Sequence, residues 1–371
     1  MTELLEDALA PIVDAELVFF TGEENIVAEH VLDTWMAPSS GQWADAVVAS
    51  LHADQRAVGV LPFAPDGVAV MHRIVGSGHF ATPAARGVQH RHAVTERPTA
   101  GEYARGVSDA LARIARGEID KVVLGRCLDV VSEPPLRAEE LVARLLRTRP
   151  GRYIFSVPLS DDLISGPVLV GGSPELLVRR RGAAVSSLPL AGSVPRSEDP
   201  AEDARRAEAL LDSSKDLDEH AYVVDEIVAA LRPVARELRA DARPRLLGTD
   251  TLWHLASSVE ARIDPGSGPS ALHLAQLLHP TPAVGGVPTR AALDVIAEIE
   301  GPDLRGPLAG AVGWVDGSGD GEFAVAIRSG VLHGARLRLF AGAGIVAGSE
   351  PDAEVRETGA KLATMARAVG L

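Results

Sequence analysis

A chain of 371 residues with 46% hydrophobic content can bury a large core, yet its formal charge of −15 leaves no concentrated basic field for nucleic acid. Its longest basic run is Arg179-Arg180-Arg181, so an anionic ligand has to be caught by a few local cations or a metal. Length alone fits roughly two or three domains, or one large intertwined domain.

Cys127 is the single cysteine, which excludes an intramolecular disulfide, and its place in KVVLGRCLDV reads as a packed thiol. The acidic start, MTELLEDALAPIVDAE, has neither the basic nor the apolar stretch of a secretory signal. No segment approaches the ~18 uncharged apolar residues of a membrane span, so no membrane partner and a cytoplasmic location are expected.

Short strands are expected at AELVFF (15–20), AVGVLPF (57–63) and GVAVMHRI (67–74). RPTAGEYARGVSDALARIARGEID predicts a helix with Tyr103, Val107, Ala110, Leu111 and Ile114 on one face, ending near Gly117. KVVLGRCLDVV reads as a strand, AEELVARLLRTRP as a helix ended by Pro150, and RYIFSVPL as a strand. PVLVGGSPELLVRRRGAAVSSLPLAGSVPR predicts two or three strands joined by tight turns. The longest helical stretch covers 201–240, with Leu217, Ala221, Val224, Val228 and Leu231 on its apolar side and Pro233 expected to interrupt it.

SALHLAQLLHP predicts a short helix stopped by proline, TPAVGGVPTR a turn, and RAALDVIAEIE a helix. GAVGWVD, GEFAVAIRSGVL and ARLRLFAGAGIV predict three strands. A last helix is expected from about Ser349, with Asp352 as capping partner and Val355, Leu362, Met365 and Val369 on its apolar face. No internal repeat or low-complexity linker divides the chain, and hairpin-like spacing predicts an α+β fold rather than regular βαβ winding.

LFAGAGIVAGSEPDAEVRETGAK, residues 339–361, has the look of a phosphate-binding turn: an apolar strand, Gly342, Gly344 and Gly348, then a helix. A dinucleotide fold needs a further strand carrying an acidic residue roughly 20 positions on. Here one helix follows and the printed sequence stops at Leu371, so the turn suits a carboxylate rather than a dinucleotide. On that helix Glu357 and Lys361, four apart, read in isolation as an exposed ion pair pointing away from the apolar face.

Nine blocks in order carry more information than any one of them: DKVVLGR, GGSPELLVRR, SSLPLAGSVPR, KDLDEH, TLWHLAS, LLHPTPAVGG, GAVGWVDGSGDGEFAVAIRS, RLFAGAGIV and RETGAKL. Through them, from about Pro98 to Leu371, the chain resembles the chorismate-utilising enzymes, and within them the isochorismate synthase branch. The resemblance implies one chorismate-binding domain over 1–371, with 1–97 as a variable N-terminal part and 98–371 as the catalytic core. It also implies mixed, largely antiparallel sheets with outer helices and an active site between two layers.

The reaction it implies adds water at carbon 2 of chorismate, a dianionic cyclohexadiene, as the carbon-4 hydroxyl leaves and the double bonds shift. Water is a poor nucleophile and hydroxide a poor leaving group, so a base and an acid are needed. The matching positions imply Lys121 as base and Glu175 as acid, and Glu219 and Glu357 as ligands of a required Mg²⁺. Glu219 lies about 200° around its helix from Leu217, off the apolar stripe. Substrate contacts are implied for Arg328 and Gly342 at the enolpyruvyl carboxylate and for Gly192 and Ser193 at the ring carboxylate. His254 is implied near the ring and Lys361 on the metal side, with a buried structural role also open for His254. His220, beside Glu219, has no spaced partner for a metal and reads as structural.

Branches of the family are separated by single positions. Ala191 in PLAGS stands where the aminodeoxychorismate branch has a lysine, and Lys121 is present where the anthranilate branch lacks one. Ala283 and Val284 fit isochorismate synthases better than the threonine-bearing pattern of salicylate synthases, which remain the alternative. A non-catalytic anion binder on the same scaffold would have lost Lys121, Glu175, Glu219 or Glu357, and all four are present. A monomer is expected. Siderophore, menaquinone and salicylate pathways all remain open as destinations of the product.

Overall fold

Leu17, Val18, Phe19 and Phe20 are all buried, although a strand has two faces. Leu17 and Phe19 enter one apolar cluster and Val18 and Phe20 another, because their sheet is covered on both sides. A computed structural model describes residues 15–21, 24–75, 90–148, 152–249, 251–301, 304–368 and 370–371. The acidic start up to Asp14, Pro150 and Val369 lie outside the described residues.

The first large sheet runs Gly286–Val287, Lys121–Glu133, Arg336–Ile345, Ser329–His333, Val168–Ser173, Tyr153–Pro158, Leu17–Phe20, Asn25–Ala28, with Arg91–Arg97 also pairing Lys121–Glu133. The second runs Glu237–Ala240, Val259–Arg262, Ala184–Leu188, Leu176–Arg181, Gly321–Val325, Ala311–Asp316, Gln55–Leu61, Val68–Val75, Val31–Pro38. A third, of three strands, joins Leu190–Pro195, Leu252–Ala256 and Arg245–Gly248. The pairings are antiparallel, as the hairpin-like spacing predicts for an α+β fold.

The two large sheets share one core, in which Val122, Leu124 and Phe155 meet Val58, Phe323 and Val178. The outer face of the first sheet is covered by helices Ala138–Thr148 and Pro351–Ala368, through Leu141, Leu145, Leu362 and Met365. Helix Ala100–Ala115 opens on a reciprocal capping box between Thr99 and Glu102, and Gly117 follows its end, where the sequence places it, at φ +74°.

Five expectations are revised. The 201–240 stretch is two helices, Pro200–Asp212 and Ser214–Leu231, followed by the strand Glu237–Ala240. The break comes at Ser213, whose extended backbone and side-chain bond to the Asp216 N–H start a new helix 20 residues before Pro233. The buried stripe of that second helix is His220, Val223, Val224, Ile227 and Leu231, so Ala221 faces solvent. GEFAVAIRSGVL is not one strand but Gly321–Val325 and Ser329–His333, in different sheets.

PVLVGG…VPR forms four strands rather than two or three. The last helix begins at Pro351, and Ser349 turns its hydroxyl back to the Val346 N–H.

Because Ser213 caps the helix that carries Glu219, Ser213→Ala is expected to cost about 1 kcal/mol of stability. Urea denaturation measures this; an unchanged midpoint would show that the cap contributes nothing.

Candidate active site

The chain crosses between the two large sheets at two adjacent places. Ser173 ends a strand of the first sheet and Leu176 begins one of the second, leaving Glu175 in the crossing. Val325 ends a strand of the second and Ser329 begins one of the first, leaving Arg328 in the return. Each crossing is tied to the other element's backbone: Val325 N–H donates to Glu175 O at 3.1 Å, and Gly172 N–H to Arg328 O at 3.0 Å. Arg328 sits at φ +50°, a conformation a non-glycine residue keeps only when its surroundings hold it there.

Both side chains enter one cleft. Glu175, Gly192, Ser193, Glu219, His254, Ala283, Val284, Arg328, Gly342, Glu357 and Lys361 all line it. Lys121 lies just behind this lining: fully buried, it holds Glu219 Oε1 at 3.1 Å. Lys361 bridges Glu357 at 2.7 Å and the Gly342 carbonyl at 2.9 Å. The Glu357–Lys361 pair is therefore real, but it faces the cleft rather than open solvent.

Burial sets the charges. It pushes the Glu175 carboxyl up to about 7, against the opposing pull of the Leu190 N–H, Lys121, Arg328 and Lys361. Burial lowers Arg328 to about 10, which leaves it cationic at neutral pH. Burial and the adjacent Arg328 hold His254 well below the usual imidazole range, so it is neutral. Arg328 donates an N–H to His254 Nε2, which fixes the imidazole proton on Nδ1. His254 thus both lines the cleft and aims the guanidinium.

The glycines are spacers for this site. A Cβ on Gly344 would lie 2.0 Å from Glu219 Oε1 and 3.2 Å from Lys121 Cε. Gly192 sits at φ +77° in the bulged strand Leu190–Pro195, where a Cβ would press on Asp216 at 3.1 Å.

A family profile described as "Chorismate binding enzyme" matches residues 75–370. The chain belongs to the chorismate-binding enzymes.

It is 47% identical over 284 residues to "Isochorismate synthase DhbC" of Bacillus subtilis, covering 76% of this chain and 71% of that one. To "Isochorismate synthase EntC" of Escherichia coli K12 it is 40% identical over 344 residues, 87% of this chain and 85% of that one. A crystal structure of a putative 2,3-dihydroxybenzoate-specific isochorismate synthase from Bacillus anthracis superposes with TM-score 0.90 at 37% identity, over 100% of this chain and 99% of that one. No helix among the described residues of this chorismate-binding enzyme is long and apolar enough to cross a membrane.

Two carboxylates from different helices, Glu219 and Glu357, face the same cleft with oxygens only. That is a hard donor pair of the kind Mg²⁺ takes while keeping waters and accepting substrate oxygens. Among the described residues no group of three or more His, Cys, Asp or Glu forms a fuller cage. His220 is committed elsewhere: Nδ1 donates to the Ala191 carbonyl and Nε2 accepts from the Ser257 hydroxyl, and burial lowers it to about 4.

Reading by motif missed Lys215, which pairs with the buried Glu354 at 2.9 Å, one helical turn before Glu357. A signal was available. The chain has only three lysines, Lys121, Lys215 and Lys361, and each bonds a glutamate in or beside this cleft.

Glu175 also makes stability depend on pH. Its folded value of about 7 lies above the ordinary carboxyl value of 4.5, so the folded protein keeps a proton that the unfolded chain releases. That contribution is complete below about pH 4.5 and lost as pH rises through about 7. Glu175→Gln removes the dependence. Between those limits the variant is expected to gain up to about 3 kcal/mol relative to wild type, read by urea unfolding at both ends. A difference independent of pH would place Glu175 in a solvated or already ionised state.

Proposed function

We infer that this protein is an isochorismate synthase, converting chorismate reversibly to isochorismate with Mg²⁺ as cofactor. The observation that carries the reading is a buried carboxyl, Glu175, pushed by burial up to about 7 and facing the same cleft that Lys121 supports from behind Glu219. The names of the relatives support it and favour it over a salicylate synthase.

The chain's own groups divide the work. Arg328, kept cationic and aimed by His254, binds a substrate carboxylate through its planar fork. Lys361 and the cleft edge at Gly342 close around the same anionic ligand. Lys121, in its neutral form, accepts a proton from the water that bonds to carbon 2. Glu175 gives its proton to the hydroxyl leaving carbon 4, so one water enters and one departs. In the reverse direction the two residues exchange roles.

A Mg²⁺ ion held by Glu219 and Glu357 would supply positive charge beside the ring carboxylate. Ala283 and Val284 form an apolar wall that fits the ring rather than its charged arms.

Chromatography of a chorismate incubation is expected to show isochorismate and no accumulated salicylate. Salicylate as the main product would overturn the branch assignment. EDTA is expected to abolish turnover and Mg²⁺ to restore it; full activity without divalent metal would remove Glu219 and Glu357 from that role.

Lys121→Ala is expected to lower the rate in both directions by about 10²–10⁴-fold, the usual worth of general acid–base catalysis. Initial rates from each side, with chorismate binding followed by calorimetry, check this. A variant keeping more than about a tenth of wild-type turnover, a loss of only ~1.4 kcal/mol in the barrier, would put the base elsewhere.

A further inference from the structure

The strand Lys121–Glu133 has a gap on one edge. Arg336–Ile345 pairs with it continuously from Val122 to Val131 on one side. On the other side Gly286–Val287 pairs only with Lys121 and Val122, and Arg91–Arg97 begins only at Cys127. Residues 123–126 therefore lack a strand partner on that edge, and buried backbone groups must find partners elsewhere. The Val123 N–H goes to the Gly285 carbonyl at 2.7 Å.

Glu300 and Arg305 take over from there. Glu300 Oε1 accepts the Gly125 N–H at 2.7 Å. Arg305 donates to the Val123 carbonyl at 2.6 Å and to the Val284 carbonyl at 2.7 Å. The two side chains are joined by two short bonds, Nε to Oε2 at 2.7 Å and a terminal N–H to Oε1 at 2.6 Å. Both are nearly inaccessible, at 4% and 3% of their side-chain surface. The guanidinium packs against Phe63 at 4.2 Å and Phe340 at 5.4 Å from the ring centres. Val123, Val284 and Phe340 line the cleft; neither Arg305 nor Glu300 does.

We propose that Arg305 is a positioning residue for the reaction: its fork ties the strand that carries Lys121 to the turn that carries Ala283 and Val284, and so sets the distance between the base and the substrate's apolar wall. A lysine has one ammonium centre and cannot serve a carboxylate and two separate carbonyls with the same planar geometry. A buried ion pair used only for stability is replaceable, whereas two carbonyls held by one guanidinium tie two cleft walls together. The inference rests on the isochorismate synthase reading, since it is the base and ring wall of that reaction that are held.

The test compares two variants that both weaken the ion pair. Glu300→Gln keeps an acceptor for Gly125 and leaves the carbonyl contacts of Arg305 in place; Arg305→Lys loses the fork. Rates are measured well below each melting temperature, and amide hydrogen exchange is followed at 121–125 and 283–285. Arg305→Lys is expected to lose at least about tenfold in kcat, because misplacement by about 1 Å costs up to ~10²-fold. Exchange at both segments should speed up together, while Glu300→Gln keeps about half of kcat or more.

Equal loss of kcat in the two variants, or wild-type kcat in Arg305→Lys, overturns the proposal and leaves a purely structural pair. If Arg305→Lys does not fold, Phe63→Leu, which frees only the outer face of the guanidinium, replaces it. A kcat reduced at least about threefold with faster exchange at both segments supports the clamp, and an unchanged kcat overturns it. Wild-type turnover in the same assay tests the reaction itself, and the exchange pattern tests the clamp without reference to activity.

Discussion

The two side-by-side crossings between the large sheets are the constraint on which the rest of the site depends. A chain passing from one sheet to the other must leave strand geometry, and its buried backbone groups still need partners. Here each crossing is tied by a hydrogen bond to the element beside it, and the residues released from strand pairing, Glu175 and Arg328, point into the space between the layers. The same burial that pushes Glu175 up to about 7 makes Arg328 bind harder through each bond it forms, since water does not compete there. A buried carboxyl and a buried guanidinium are thus fixed by one piece of topology.

Charge in the cleft is arranged by residue type. The chain uses arginine almost everywhere and lysine three times, and all three lysines bond glutamates at or beside the cleft. A guanidinium stays charged and cannot serve as a proton acceptor, whereas an ammonium can lose its proton and is a compact partner for a single oxygen. Arg328 brings the planar group into the cleft, and the lysines bring compact ammonium groups against single carboxylates.

Backbone freedom is spent on the same site. Gly344 keeps the strand Arg336–Ile345 flat enough for Glu219 and Lys121 to meet against it, and Gly192 allows the bulge that faces Asp216. His254 shows that a buried imidazole and a cleft residue are not alternatives. It is neutral because it is buried, and being neutral it can accept the Arg328 N–H that directs the guanidinium.

The sequence by itself determined the class of fold, most strands and helices, and membership of the chorismate-binding family. Those features are local: apolar periodicity, glycine punctuation and ordered blocks of short-range pattern. It did not reveal that GEFAVAIRSGVL splits between sheets, because the turn at Arg328 is held by tertiary bonds rather than by glycine or proline. Nor did it reveal the break at Ser213 within an otherwise helical pattern, although the serine three residues before Asp216 was a legible cap.

Only the tertiary structure decided that the Glu357–Lys361 pair faces a cleft, that Lys121 lies behind Glu219, and that Arg305 seals a gap in the strand edge. Each of these joins segments far apart in the chain. Burial, which shifts proton affinities and makes an unmet backbone group costly, exists only once those segments have come together.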